Sequence, residues 1–134
     1  MAAARTVPSV TDDRSAEPAR EQLLSIASRE VDGAVVLAVA GEIDLHTAPR
    51  LLAAVDTGFD QASDGPLVID LTDVSFLGSA GLAALVSARR QAQRRREPLR
   101  IVVDHNRPVI RPLEITGLDE VLALYHTVDE ALVG

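Results

Sequence analysis

Val68-Ile69-Asp70-Leu71-Thr72-Asp73-Val74-Ser75-Phe76-Leu77-Gly78-Ser79-Ala80-Gly81-Leu82-Ala83-Ala84-Leu85-Val86 decides the fold of this chain. It opens as a buried strand, passes through a short polar turn, and resumes from Ser79-Ala80-Gly81 as an apolar pattern at helical spacing. Strand, turn and helix in that order are the unit from which parallel α/β sheets are built. The unit also sets a serine hydroxyl at a helix start. Backbone N–H groups there lack intrahelical partners, and the helix dipole leaves about half a positive charge. Two roles are open to Ser79. It is a plain N-cap, for which serine is a preferred residue, or it carries a phosphate that the helix terminus accommodates.

Upstream, the turn signal Ser63-Asp64-Gly65-Pro66 precedes Leu67–Leu71, which reads as a central strand covered on both faces. Before it, Ala48, Leu51, Leu52, Val55 and Phe59 recur at helical spacing, behind a start signal at Thr47 and Pro49. Asp32-Gly33 joins a weak strand over Leu23–Arg29 to a clear one over Ala34–Ala40, predicting an antiparallel hairpin that Gly41-Glu42-Ile43-Asp44 closes. Residues 1–21 lack apolar periodicity and are expected to be a disordered extension, with one domain over 22–134. Downstream, the helix from Ser79 ends near Arg94-Arg95-Arg96, and Glu97-Pro98 breaks the chain before a strand over Leu99–Val103. Asn106 is expected to cap a third helix through Ile115, kinked or 3₁₀ at Pro112 and stopped by Gly117. Leu122–Tyr125 reads as the last strand, and Thr127 with Glu130 as the capping box of a closing helix through Val133. The predicted class is α/β: a mostly parallel sheet of about five strands with about four helices, in the order β-β-α-β-α-β-α-β-α.

Composition narrows the function classes. The 134 residues are 47% hydrophobic and 2% aromatic, so an aliphatic core is expected and neither an aromatic-lined cofactor pocket nor a base-stacking surface is suggested. Without cysteine, disulfides, thiolate metal sites and cysteine nucleophiles are excluded, and a cytoplasmic location is expected. The longest apolar run, Ala34–Ala40, is far short of the ~20 residues a membrane helix needs. The net charge of −7 argues against nucleic acid as a direct partner. The one basic cluster, Arg89, Arg90, Arg94, Arg95 and Arg96, reads as a solvated last helical turn that complements the dipole. A hydrolase elbow fails because Leu77 stands where Gly-x-Ser-x-Gly needs its first glycine. The three histidines, His46, His105 and His126, are scattered without ligand spacing and predict no metal site, and no cofactor is expected.

Four ordered motifs make the chain resemble the STAS domains, and among them the bacterial anti-sigma factor antagonists. They are Gly41-Glu42-Ile43-Asp44 followed by Thr47-Ala48; Asp70-Leu71-x-Asp73-Val74-Ser75-Phe76; Ser79-x-Gly81-Leu82; and Ile115-Thr116-Gly117-Leu118. The resemblance spans about residues 23–133. It implies that Ser79 is the phosphoacceptor and that the kinase is the partner itself, an anti-sigma factor of the ATP-dependent serine kinase type. The unmodified antagonist would bind that partner and release a sigma factor, with a serine phosphatase available to reverse the modification. The same resemblance places partner contacts at Asp44, Thr47, Gly78, Ser79, Ala80, Gly81 and Leu82. The chain departs from the family pattern at Gly78, where an acid is common, and at Ala80, where a second hydroxyl is common. Those two departures keep a second role open, a STAS module that binds without being phosphorylated. Gly81 and Leu82 can equally be packing residues, Asp44 a turn cap, and Asp70 an acceptor of backbone bonds.

Overall fold

A hairpin opens the fold. In the computed structural model, which describes residues 23–134, Leu24–Val31 (β1) and Ala34–Ile43 (β2) pair antiparallel from Leu24 opposite Gly41 to Val31 opposite Ala34. Asp32 and Gly33 turn between them with φ of 49° and 87°, the left-handed pair that a two-residue hairpin loop requires. The predicted extension over residues 1–21 lies outside the described residues. After the hairpin come Ala48–Gln61 (α1), Leu67–Leu77 (β3), Ser79–Arg95 (α2), Leu99–Val102 (β4) and Arg107–Thr116 (α3). A 3₁₀ turn at Leu118–Glu120, Leu124–Tyr125 (β5) and Val128–Val133 (α4) complete the chain. The strands lie in sequence order in one sheet, with β1–β2 antiparallel and the other pairs parallel. The α/β class and element order predicted from sequence are therefore present.

Period-2 alternation sorts the strand residues between two faces. Val35, Leu37, Leu67, Ile69 and Ile101 enter the main core with Leu51, Val55 and Phe59 of α1 and Ala84, Leu85 and Ala88 of α2. Val36, Val68 and Val102 face the other way, where Ala131 of α4 packs on them. Arg95, from the predicted basic cluster, ties the last turn of α2 to α1: it meets Asp60 at 2.9 Å and Asp56 at 3.4 Å, with its guanidinium 5.4 Å from the Phe59 ring centre. Such solvent-facing pairs contribute at most about 1 kcal/mol each.

The alternation fails along β3, and the failure shapes the functional end of the sheet. Its residues in the main core are Leu67, Ile69, Leu71, Val74 and Leu77, so the inward phase slips twice after Leu71. The pairing with β2 slips at the same places, from Ala38–Asp70 to Ala40–Asp73 and from Gly41–Val74 to Glu42–Phe76. These are β-bulges, each inserting an unopposed residue into β3. The segment expected as a polar turn is thus bulged strand as far as Leu77. Local bonds hold the first bulge: Asp70 Oδ1 accepts from the Thr72 N–H at 3.0 Å and its hydroxyl at 2.8 Å. Asn106 Nδ2 donates to both Leu71 O and Val74 O at 2.8 Å.

Three other expectations need correction. The Asn106 side chain does not cap α3, because its amide is committed to the β3 bulge. Pro112 sits within an α-helix that runs to Thr116, not in a 3₁₀ segment. The last strand keeps only Leu124–Tyr125 of the expected span, because β4 offers it just the Ile101 and Val102 positions. The closing capping box forms with a shift: Thr127 Oγ1 accepts from Glu130 N at 3.1 Å, while Glu130 Oε1 reaches back to His126 N at 3.0 Å. Among the described residues no helix is long and apolar enough to cross a membrane.

Candidate protein-binding site

Two strand-to-helix junctions meet at the carboxyl end of the sheet, where the Gly78 N–H donates to Ile43 O at 3.0 Å. The junction between β2 and α1 is saturated with hydrogen bonds. Asp44 Oδ1 accepts from the His46 N–H at 2.9 Å and the Thr47 N–H at 3.0 Å, and Thr47 Oγ1 accepts from the Asp44 N–H at 2.9 Å. The Thr47 hydroxyl donates to Glu42 O at 2.7 Å. Asp44 and Thr47 thus cap one another reciprocally across the turn that leads into α1. Donation by the Thr47 N–H is the main reason the Asp44 carboxyl lies below its ordinary value; burial pulls the other way, and the His46 N–H and the Thr47 hydroxyl add to the lowering. Between these two residues Leu45 stands 75% exposed.

The second junction, between β3 and α2, is bare. Gly78, not Ser79, is the N-cap: its backbone is extended at φ −90° and ψ −175°, and its carbonyl accepts the first helical bond from Leu82 N at 3.0 Å. Ser79 is the first residue of the helix and is exposed, and among the described residues no side chain caps the terminus. The N–H groups of the first turn therefore have no intrahelical partners and, among the described residues, no side-chain cap. A Cβ on Gly78 would lie 3.0 Å from Phe76 Cε2, so the absence of a side chain there is what admits the Phe76 ring. Gly81 is buried, and a Cβ on it would lie 2.5 Å from Leu77 Cδ1 and 2.7 Å from Ile43 Cγ2. Its hydrogen lets α2 descend onto the ends of both strands.

Beside Ser79 runs an apolar groove of about 590 Å³ between the start of α2 and α3. Phe76, Leu77 and Leu82 line one wall, Pro108, Pro112 and Ile115 line the other, and Arg107 and Arg111 add positive charge. Phe76 is 49% and Ile115 73% exposed, so this is an open apolar surface and not a sealed core.

Of the residues expected at the partner surface, Ser79 is exposed, while Asp44, Gly78, Ala80 and Leu82 are half-buried at its edge. Thr47 and Gly81 are buried; Thr47 keeps only 2% exposure. These two lie beneath the surface, Thr47 held by its bonds to Asp44 and Glu42 and Gly81 by close packing on Leu77 and Ile43. Asp70 serves the bulge, as a structural residue would. Sequence reasoning missed Leu45, Ile115, Arg107 and Arg111 as surface residues. The available signal was that Leu45 and Ile115 fall within or beside the motifs yet outside the apolar period of their elements.

A family model described as STAS domain matches residues 25–131. The anti-sigma-F factor antagonist RsfB of Mycobacterium tuberculosis is 34% identical over 114 residues, covering 83% of this chain and 88% of that protein. The anti-sigma-B factor antagonist of Listeria monocytogenes is 33% identical over 102 residues, 75% of this chain and 86% of its own length. Among solved structures, an anti-sigma factor antagonist from Mycobacterium paratuberculosis superposes with a TM-score of 0.74 at 35% identity, covering 82% of this chain and 92% of that one.

Proposed function

The chain belongs to the STAS domain family, whose members similar to it are named anti-sigma factor antagonists, and from that premise we propose that it is one itself, switched by phosphorylation of Ser79. It is a binding protein in this account, working in the cytoplasm on an anti-sigma factor of the ATP-dependent serine kinase type. Unmodified, it occupies that partner and a sigma factor is released. A serine phosphatase resets it. The observation that carries the proposal is the exposed Ser79 hydroxyl on the first residue of an uncapped helix of 17 residues. Exposed apolar groups at Leu45 and Phe76 supply contact area near it.

Phosphorylation adds about −1.5 to −2 charges and three acceptor oxygens. Within the chain the uncapped N–H groups and the dipole of α2 favour that charge, so the fold persists. The cost falls on the complex, where a desolvated phosphate without a cationic partner opposes association. About 2.7 kcal/mol suffices for a hundredfold loss of affinity. Gly78 and Ala80 support a second account, a constitutive STAS interaction module, because neither offers a polar side chain to orient Ser79 for transfer.

Capture from native cell extract with wild type and Ser79→Glu in parallel separates the two. Retention of an ATP-binding anti-sigma factor by wild type alone, with ATP-dependent phosphate mapped to Ser79, supports the switch. Equal retention by both chains, with no phosphate on Ser79, makes the protein a constitutive module.

A further inference from the structure

Two imidazoles and a carboxylate, from two separate segments of the chain, converge where β4 and β5 end. Asp104 Oδ1 lies 3.7 Å from His105 Nε2 and 3.7 Å from His126 Nδ1, and one donor atom from each residue falls within 4.8 Å of the others. The convergence follows from the sheet. Parallel pairing sets Val102 beside Tyr125, and Tyr125 O accepts from the Val103 N–H at 2.9 Å and the Asp104 N–H at 3.4 Å. The His126 N–H is held by Glu130 Oε1 at 3.0 Å, and Asn106, next to His105, is pinned to β3. The backbone that presents all three side chains is thus fixed by hydrogen bonds, while the side chains themselves are exposed.

The spacing suits a small tetrahedral ion. Donors bound at about 2.0–2.1 Å in tetrahedral geometry sit about 3.4 Å apart, so the two imidazole–carboxylate separations close by a few tenths of an ångström and the two exposed imidazoles, within 4.8 Å, turn toward each other by rotation of their side chains. A cleft of about 260 Å³ opens on the cluster, and Asp104, Glu114, Asp119 and His126 are among its lining residues. Three carboxylates in one cleft give a negative potential that draws a cation. Two imidazoles with one carboxylate match Zn²⁺ or Ni²⁺ far better than Mg²⁺ or Ca²⁺, which take oxygen donors. We propose that Asp104, His105 and His126 form a binding site for a divalent transition-metal ion of the Zn²⁺ class, with the fourth position left to water. The site is independent of the role of Ser79.

Calorimetric titration of ZnCl₂ into the metal-free full chain at neutral pH, with the imidazole NMR resonances followed alongside, tests it. One ion per chain is expected, with the His105 and His126 resonances shifting and that of His46 unmoved. His105→Ala and His126→Ala should each weaken binding by more than the about 10–100-fold that loss of an outer-shell partner costs, and His46→Ala should leave it unchanged. Absence of binding, shifts confined to His46, or affinity indifferent to both cluster variants would overturn the site. The resonance map is read on the wild-type chain, so it decides even where a variant fails to fold.

Discussion

The two junctions at the carboxyl end of the sheet differ in one respect: the first has its polar groups satisfied and the second does not. Asp44 and Thr47 cap each other and bury the threonine, whereas Gly78 presents no side chain and leaves the start of α2 uncapped. The first junction is a support, since Asp44 Oδ1 and the Thr47 hydroxyl are committed to bonds within the chain. The bare one is receptive. An uncapped helix start with an exposed hydroxyl on its first residue can gain a phosphate, or a partner's acceptor, without breaking anything the fold depends on.

The contrast can be broken from beneath. Gly81→Val drives carbon into Leu77 and Ile43 under the bare junction, and about 3 kcal/mol of stability should be lost in urea unfolding despite the better helix propensity of valine. Thr47→Val strips the saturated junction of its hydroxyl, stranding the Asp44 N–H and Glu42 O. A loss of about 2 kcal/mol is expected in the same assay. At the bare junction the sign reverses: Ser79→Glu puts a negative charge at a helix N-terminus and should raise stability by about 0.5 kcal/mol, with the circular dichroism spectrum unchanged. Loss of helix in that variant would show that the two junctions are not distinct in kind.

The smallest effect sharpens the comparison through pH. Because the folded Asp44 carboxyl lies below its ordinary value, its contribution is present above the unfolded pKa and disappears as pH falls through the folded one. Asp44→Asn should therefore lose less stability than wild type as pH falls below the ordinary carboxylate range of about 4. Equal acid slopes for the two chains would mean that the Asp44 hydrogen bonds carry no net stabilisation.

Most of the architecture was legible because it rests on local patterns. Apolar period 3.6 in Ala48–Phe59, period 2 in the hairpin, and punctuation at Asp32-Gly33 and Ser63–Pro66 each specify an element without reference to any other. The upper half of β3 was not legible. Its bulges depend on the pairing with β2 and on the Asn106 amide reaching Leu71 O and Val74 O, and a segment held by distant bonds has no period of its own. The same amide explains why Asn106 failed as a cap. At the candidate site, Ser79 and Gly81 were found from the motif. Their division into an exposed residue and a buried one was not, because burial depends on Ile43, which belongs to another strand.

The sequence by itself determined the α/β order, the serine at a helix start and the absence of thiol chemistry, since propensity, spacing and composition act within a few residues of each other. Tertiary structure alone decided that Thr47 lies beneath the site, that Phe76 and Ile115 share an open groove, and that His105 meets His126 across Asp104. Those relations are distances between strands and helices remote in the chain, and only sheet register and helix packing set them.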